Sequence, residues 1–259
     1  MIHNLSVVHP DAQIGKDVKI DPFASIAENV IIGDGTWIGS NVTVMPGSRI
    51  GSNCKIFPGA VIGAIPQDLK FRGEETTAEI GNNTIIRECV TVNRGTAARG
   101  KTTVGNNALL MAYSHVAHDC DIRNNVIIGN STQIAGEVVI DDFAIISALC
   151  GVHQFTRIGK HVMVQGLSGV GKDVPPYVTA GRDPLAYAGL NSVGLRRRQV
   201  PGEVINAIQD VYRIIYLSGM NVSDGVKHAE ENLSKSPERD EILDFIKSSK
   251  RGIIRGLLA

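Results

Sequence analysis

Stepping by six from Val8 lands on Ile14, Ile20, Ile26, Ile32, Ile38, Val44, Ile50, Ile56 and Ile62 without a miss. A period of six suits neither an α-helix nor a plainly alternating strand, so it leaves few folds open to this chain. The ladder resumes at Ile80, Ile86 and Val92. It then runs from Val104 through Leu110, Val116, Ile122, Ile128, Ile134, Ile140, Ile146, Val152, Ile158 and Val164 to Val170. Leu110 is the one rung that is neither Ile nor Val.

A second column lies four residues after the rungs, at Ala12, Val18, Ala24, Val30, Thr36, Val42, Ser48, Cys54 and Ala60, all small or β-branched. Glycine often follows a rung directly, at Gly15, Gly33, Gly39, Gly51, Gly63, Gly81, Gly105, Gly129 and Gly159. These glycines are expected where the backbone turns through a conformation costly for other residues. One aliphatic, one small residue and a frequent Gly per six residues is the hexapeptide form of a parallel β-helix. Three hexads make one triangular coil, with the aliphatic rungs stacked inside and coils about 4.8 Å apart. Cys54, Cys120 and Cys150 fall in the small-residue column and are read as packing atoms. Cys89 does not, and no role is assigned to it.

Two interruptions break the ladder, between Ile62 and Ile80 and between Val92 and Val104. Projecting loops are expected near 64–79 and 97–103, because the charged content of the first would be hard to bury. The paired Pro175 and Pro176 are expected to stop strand pairing. Beyond Asp183-Pro184 the apolar spacing becomes helical, with helices expected over 201–219, 223–234 and 236–250 and Arg196-Arg197-Arg198 just ahead of them. The division expected is thus a β-helix over 1–183 and a helical domain over 184–259.

Acidic and basic residues balance at 26 each over 259 residues, so no global charge argues for nucleic acid or an anionic membrane. No run of 18 apolar residues occurs and Met1–Ser6 lacks the features of a secretory signal. The four cysteines show no CxxC spacing. A soluble cytoplasmic protein without a membrane span is expected.

Against this scaffold, His115-Val116-Ala117-His118-Asp119-Cys120 stands out. Val116 and Cys120 fall on inward positions, which sends His118 and Asp119 to the outward corner. Counting on by one coil from His118 reaches Gly136, and by another Gln154. A neutral imidazole can take a proton from a hydroxyl, while the N–H of a glycine one coil away can donate to a developing oxyanion. Together they are parts of an acyl-transfer site, with Asp119 or another acceptor holding the imidazole tautomer. A metal held by His115, His118 and His153 is the other chemical reading of the cluster, with the ligand geometry unproven. The Arg196–Arg198 run suits either a solvated helix lead-in or contact with phosphate or an acidic protein.

The chain resembles the UDP-N-acetylglucosamine 3-O-acyltransferase family along essentially its whole length. The resemblance is carried by Pro66-Gln67-Asp68-Leu69-Lys70, Arg94-Gly95-Thr96, His115–Cys120, Val152-His153-Gln154-Phe155, Asp173–Val178 and Gly194–Arg198. It implies a left-handed β-helix, a homotrimer with sites between subunits, and the first step of lipid A synthesis. The donor implied is a 3-hydroxyacyl chain on the phosphopantetheine arm of acyl carrier protein, with no other cofactor and no metal. The acceptor implied is the 3-hydroxyl of a UDP-sugar. His118 matches the family's general base and Gly136 its oxyanion donor. Asp68 and Lys70 match the substrate loop; His115, His153, Gln154, Asn191, Arg197 and Arg198 match positions lining the nucleotide or acyl-carrier site. Gly166 matches the position that stops the acyl tail, roughly 13 Å along the prism from His118 by coil spacing.

Glu137 and Asn93 stand where many relatives carry His. Glu137 is expected one coil from Asp119, where one of two close carboxylates becomes harder to ionise. A 3-amino sugar acceptor is the alternative these departures leave open. The related N-acyltransferase of the same pathway normally carries an extra domain before its helix, for which a ladder starting at Val8 leaves no space. A non-enzymatic trimeric scaffold is the remaining reading.

Overall fold

The computed structural model describes residues 1–256; positions 257–259 of the expected helical domain lie outside them. Each hexad forms a short strand, from Val7–Val8 to Gly169–Val170, that ends on its aliphatic rung except in Val61–Ala64 and Thr91–Asn93, the two that lead into the loops. Every third strand stacks in parallel register, and three sheets of nine, eight and ten strands result among the described residues. We call them the first, second and third face, beginning with Val7–Val8, Gln13–Ile14 and Lys19–Ile20. The coils wind as a left-handed parallel β-helix. Ile38, Ile56, Ile86, Ile128, Ile134 and Ile146 are fully buried, as are Val30, Val42 and Ala60 of the small-residue column. Each such Ile contributes about 1.5–3 kcal/mol by burial, and truncating one to Ala costs about 2–5 kcal/mol.

Both interruptions are loops. Along the stack the pairing offset lengthens from 18 residues (Ile32 with Ile50) to 30 (Ile50 with Ile80), then 24 (Ile80 with Val104), and returns to 18 (Val104 with Ile122). The first loop thus adds twelve residues between Val61–Ala64 and Thr77–Ile80, and the second adds six between Thr91–Asn93 and Lys101–Val104.

The glycines serve a different purpose from the one expected. The left-handed backbone position lies three residues after the rung; at Asp17, Asn29, Asn41, Asn53, Asn83 and Asn107 short polar side chains tolerate it, while Phe23, Tyr113, Phe143, Leu149 and Phe155 adopt it without that help. Of the nine glycines that follow a rung, only Gly63 has a positive φ. The others are needed because coils approach closely: a Cβ on Gly33 would lie 2.6 Å from the Gly51 carbonyl carbon, and one on Gly129 2.5 Å from the Ala148 nitrogen.

Pro175 and Pro176 do not end strand pairing. Val178–Gly181 continues the third face against Met163–Val164, and Ala186–Leu190 turns back antiparallel onto it. The expected division at 183/184 therefore falls inside this hairpin. An unexpected short helix, α1 (Ser192–Arg197), takes in Arg196 and Arg197. Then come α2 (Gly202–Leu217), α3 (Val222–Asn232) and α4 (Pro237–Lys247), the last begun by Ser236 accepting from the Arg239 N–H and by Pro237 in the first turn. Bridges from Asp173 to Ile253 and Ala186 to Arg255 tie the following segment to the prism.

Candidate active site

His118 sits two residues past the rung Val116, at the corner where the first face ends. Val116 and Cys120 are buried, as their positions require, and burial pushes the Cys120 thiol up to about 12, so it stays protonated and inert. The His118 side chain is only 10% exposed, and its Nδ1 lies 2.8 Å from Asp119 Oδ2. An ionised Asp119 accepts from Nδ1–H, which leaves Nε2 as the free lone pair. Across from Nε2, Asp68 Oδ2 approaches to 3.9 Å from the first loop, too far for a hydrogen bond.

Asp119 does not face the groove. It is fully buried, because the second loop folds over it and fills its oxygens. Thr96 Oγ1 donates to Oδ2 at 2.6 Å, and the Thr96 and Arg99 N–H groups donate to Oδ1 at 2.9 and 3.2 Å. Its own N–H donates to Thr102 Oγ1. Burial by itself would raise this carboxyl, but the hydrogen bonds from Thr96 and His118 outweigh it and hold Asp119 below the ordinary carboxylate range. Glu137 does lie one coil on, its N–H donating to the His118 carbonyl, yet the crowding expected of the two carboxylates does not raise Asp119.

Gly136 is where the coil count puts it. A Cβ there would lie 2.6 Å from both Cε1 and Nε2 of His118, so only glycine lets the imidazole rest against this corner. Among the described residues no group accepts the Gly136 N–H. Gly136 and His118 line a cavity of about 780 Å³ together with Gln67, His115, His153 and Gln154. His115 Nδ1 lies 2.7 Å from Thr91 Oγ1; burial foremost, then the nearby His118 charge, lowers its pKa and favours a neutral ring. Among the described residues no three His, Cys, Asp or Glu side chains converge as metal ligands would.

The other expected site residues are absent from the lining of that cavity. Lys70 is exposed on the first loop, its N–H donating to Asp68 Oδ1. Gly166 follows Val164 at the corner of the third face. Asn191 caps α1, with Oδ1 accepting from the Gly194 N–H and Nδ2 donating to the His161 carbonyl. Arg197 is exposed, and Arg198 lies 5.1 Å above the Phe143 ring, its pKa lowered by burial. Gly166, Asn191, Arg197 and Arg198 therefore belong to another corner and to α1 with its caps, apart from the His118 cavity, while Lys70 shares the first loop with Asp68.

Thr96, Thr102 and the Arg99 N–H were missed by residue-level reasoning. The signal was present: where six residues are inserted a coil is 24 residues long, and stepping back by 24 from Asp119 reaches Gly95, beside Thr96.

Residues 173–254 match the model of Udp N-acetylglucosamine O-acyltransferase, domain 2, and residues 11–36, 29–64 and 101–136 match the bacterial transferase hexapeptide (six repeats). The chain is 44% identical over 260 aligned residues to the acyl-(acyl-carrier-protein)-UDP-N-acetylglucosamine O-acyltransferase of Janthinobacterium sp. (strain Marseille), covering 98% of this chain and 99% of that one. It is 45% identical to the protein of the same name from Thiobacillus denitrificans, again over 98% and 99%. A solved UDP-N-acetylglucosamine acyltransferase from Bacteroides fragilis 9343 superimposes with a TM-score of 0.97 at 58% identity, covering 98% of this chain and all of that one. The Arabidopsis enzyme of the same description gives 0.86 at 31% identity, over 98% and 100%.

Proposed function

The chain belongs to the UDP-N-acetylglucosamine O-acyltransferase family, and we propose that it moves a 3-hydroxyacyl chain from acyl carrier protein to the 3-hydroxyl of UDP-N-acetylglucosamine. This is the first step of lipid A synthesis, carried out in the cytoplasm and without a cofactor beyond the donor's own phosphopantetheine arm. The observation that carries the reading is one corner of the prism. His118 presents Nε2 to a cavity while Asp119 holds Nδ1, and Gly136, whose N–H has no acceptor among the described residues, packs against the same ring.

In this reading Nε2 removes the proton of the sugar 3-hydroxyl as the oxygen attacks the thioester carbonyl. The Gly136 N–H donates to the oxyanion of the tetrahedral intermediate. Collapse expels the phosphopantetheine thiolate, which takes the proton back from the imidazolium and leaves as thiol, with the acyl group now on the sugar. Asp119 stays ionised throughout and touches no reacting atom; its part is to fix the ring and stabilise its positive charge.

The assembly is a homotrimer in this reading, and the third face supplies the reason. Its outward positions run Ile85, Leu109, Ile127, Ile145 and Met163, each half-buried, where the first coils have Lys19, Trp37 and Lys55. This apolar strip leads to the corner bearing Gly166, near the exposed Leu149 and Leu167. A neighbour presenting the strip to the His118 cavity completes an acyl groove from two chains, and brings Gly166, Asn191, Arg197 and Arg198 to a site from which one protomer holds them apart.

The test is to incubate the protein with UDP-N-acetylglucosamine, or its 3-amino analogue, and a panel of 3-hydroxyacyl carrier proteins, then read product masses. A monoacylated UDP-N-acetylglucosamine supports the reading. Product from the amino analogue alone replaces the acceptor, and no acylated product from either sugar refutes the function.

A further inference from the structure

The six residues inserted before Lys101–Val104 add no wall to the prism; they cover Asp119. That residue occupies the left-handed corner position (φ 61°). Its counterparts Asn29, Asn41, Asn53, Asn83 and Asn107 are all exposed there, and Asp119 alone in this comparison is fully buried. A buried carboxylate needs donors on every lone pair it turns from water, and the loop brings them. The Thr96 hydroxyl is fixed in direction, because its oxygen accepts from the Ala98 N–H at 3.1 Å and its hydrogen goes to Asp119 Oδ2 at 2.6 Å.

The loop is itself held. The Gly100 N–H donates to the Thr96 carbonyl at 2.7 Å, the Thr76 hydroxyl to the Gly95 carbonyl at 2.6 Å, and the Gly95 N–H to the Thr77 carbonyl at 3.1 Å. Gly95 has no room for a side chain, since a Cβ would lie 2.3 Å from the Lys101 nitrogen. The last two bonds fasten the second loop to the end of the first, which carries Asp68 to His118.

We propose that Thr96 is a positioning residue for the transfer, acting through Asp119: by saturating the carboxylate it fixes both its place and its charge, and so commits His118 to the tautomer with hydrogen on Nδ1 and Nε2 free. This rests on His118 being the general base. Thr96 reaches neither the cavity nor the substrate in this account. Losing its hydroxyl leaves His118 as the one donor to Asp119 Oδ2 among the described residues, while Oδ1 keeps the Thr96 and Arg99 N–H groups, so the oxygen that faces Nδ1 is held less firmly.

The experiment has two parts. Nitrogen-15 NMR of the ¹⁵N-histidine-labelled wild-type protein, with His118 assigned by its loss in His118→Gln, reads the ring tautomer without substrate. Hydrogen is expected on Nδ1, and hydrogen on Nε2 overturns the proposal whatever any variant does. Thr96→Val and Thr96→Ser are then compared in steady-state transfer from a 3-hydroxyacyl carrier protein. The valine variant is expected to lose roughly 10- to 100-fold in kcat, with KM for the UDP-sugar within about twofold, and to show mixed tautomers; serine is expected to restore kcat to within about threefold. A folded Thr96→Val with wild-type kcat and tautomer overturns the inference but leaves the function standing. Failure of the function shows instead as absent transfer by the wild type. If valine unfolds the protein, the wild-type tautomer and a serine variant with reduced kcat still decide against the proposal.

Discussion

Two corners of the same prism use the same backbone for opposite ends. Where the second face ends, five of the N–H groups two residues past a rung are capped by a side chain from the next coil. Lys16 donates to Asp34, Ser52 to Asn82, Asn82 to Asn106, Asn106 to Asn124 and Asn124 to Asp142, all between 2.7 and 2.9 Å. Where the first face ends, the equivalent positions are His118, Gly136 and Gln154, and the Gly136 N–H has no acceptor among the described residues. One corner spends its donors on holding coils together, while the other leaves a donor open beside an imidazole. The same turn that ties coils together through side-chain caps at one corner goes without them at His118, Gly136 and Gln154, whose N–H groups have no acceptor among the described residues.

The sharpest way to break this comparison is to fill each corner. In Gly136→Ala the methyl displaces the His118 ring it would otherwise meet at 2.6 Å. Transfer is expected to fall by roughly 10²- to 10³-fold with little change in melting temperature. Asn124→Ala, on the capped corner, removes the acceptor of the Asn106 N–H; it is expected to cost about 0.5–1.5 kcal/mol of stability in a denaturant titration and to leave transfer unchanged. Equal activity losses in the two variants would dissolve the distinction.

A third corner tests where the acyl tail ends. Gly166 has no positive φ, and a Cβ there meets the Ala148 carbonyl oxygen at 3.2 Å, so a side chain enters if that carbonyl gives by a few tenths of an ångström. Gly166→Met is expected to move the preference in an acyl-chain panel toward shorter donors, by roughly tenfold between the best and next lengths. An unchanged preference would place the tail elsewhere.

The smallest effect concerns stability alone. His161, stacked between Phe143 and Tyr177 at 4.9 and 5.7 Å, is lowered from 6.5 to about 4, by burial first and then by the Arg198 and Lys160 charges, with Asp142 opposing. The fold thus favours its neutral form: the stabilisation is whole above pH 6.5 and is lost as pH falls toward about 4. Melting temperatures at pH 7 and pH 5 should fall further apart in the wild type than in His161→Asn, and an equal drop in both would assign the acid sensitivity to other groups.

Much of this is legible in the residues alone. The rungs fixed the coil, and counting by coils paired His118 with Gly136 and Gln154. The buried state of Asp119 was not legible, because it depends on Thr96, displaced from the regular count by the inserted hexad. The left-handed position was misassigned to the wrong glycines, since close approach between coils and backbone conformation both select glycine, and periodicity does not separate them. The hairpin closed by Ala186–Leu190 and the short helix α1 escaped because neither is long enough to show a period. The distance of Gly166, Asn191 and Arg198 from His118 follows from corners that a linear motif does not distinguish.

Every step of the proposed transfer runs through the imidazole at the uncapped corner. His118→Ala, checked for native melting and assembly state and assayed with a 3-hydroxyacyl carrier protein and UDP-N-acetylglucosamine, should lose roughly 10³-fold in kcat. Transfer near the wild-type rate by that folded variant would contradict it.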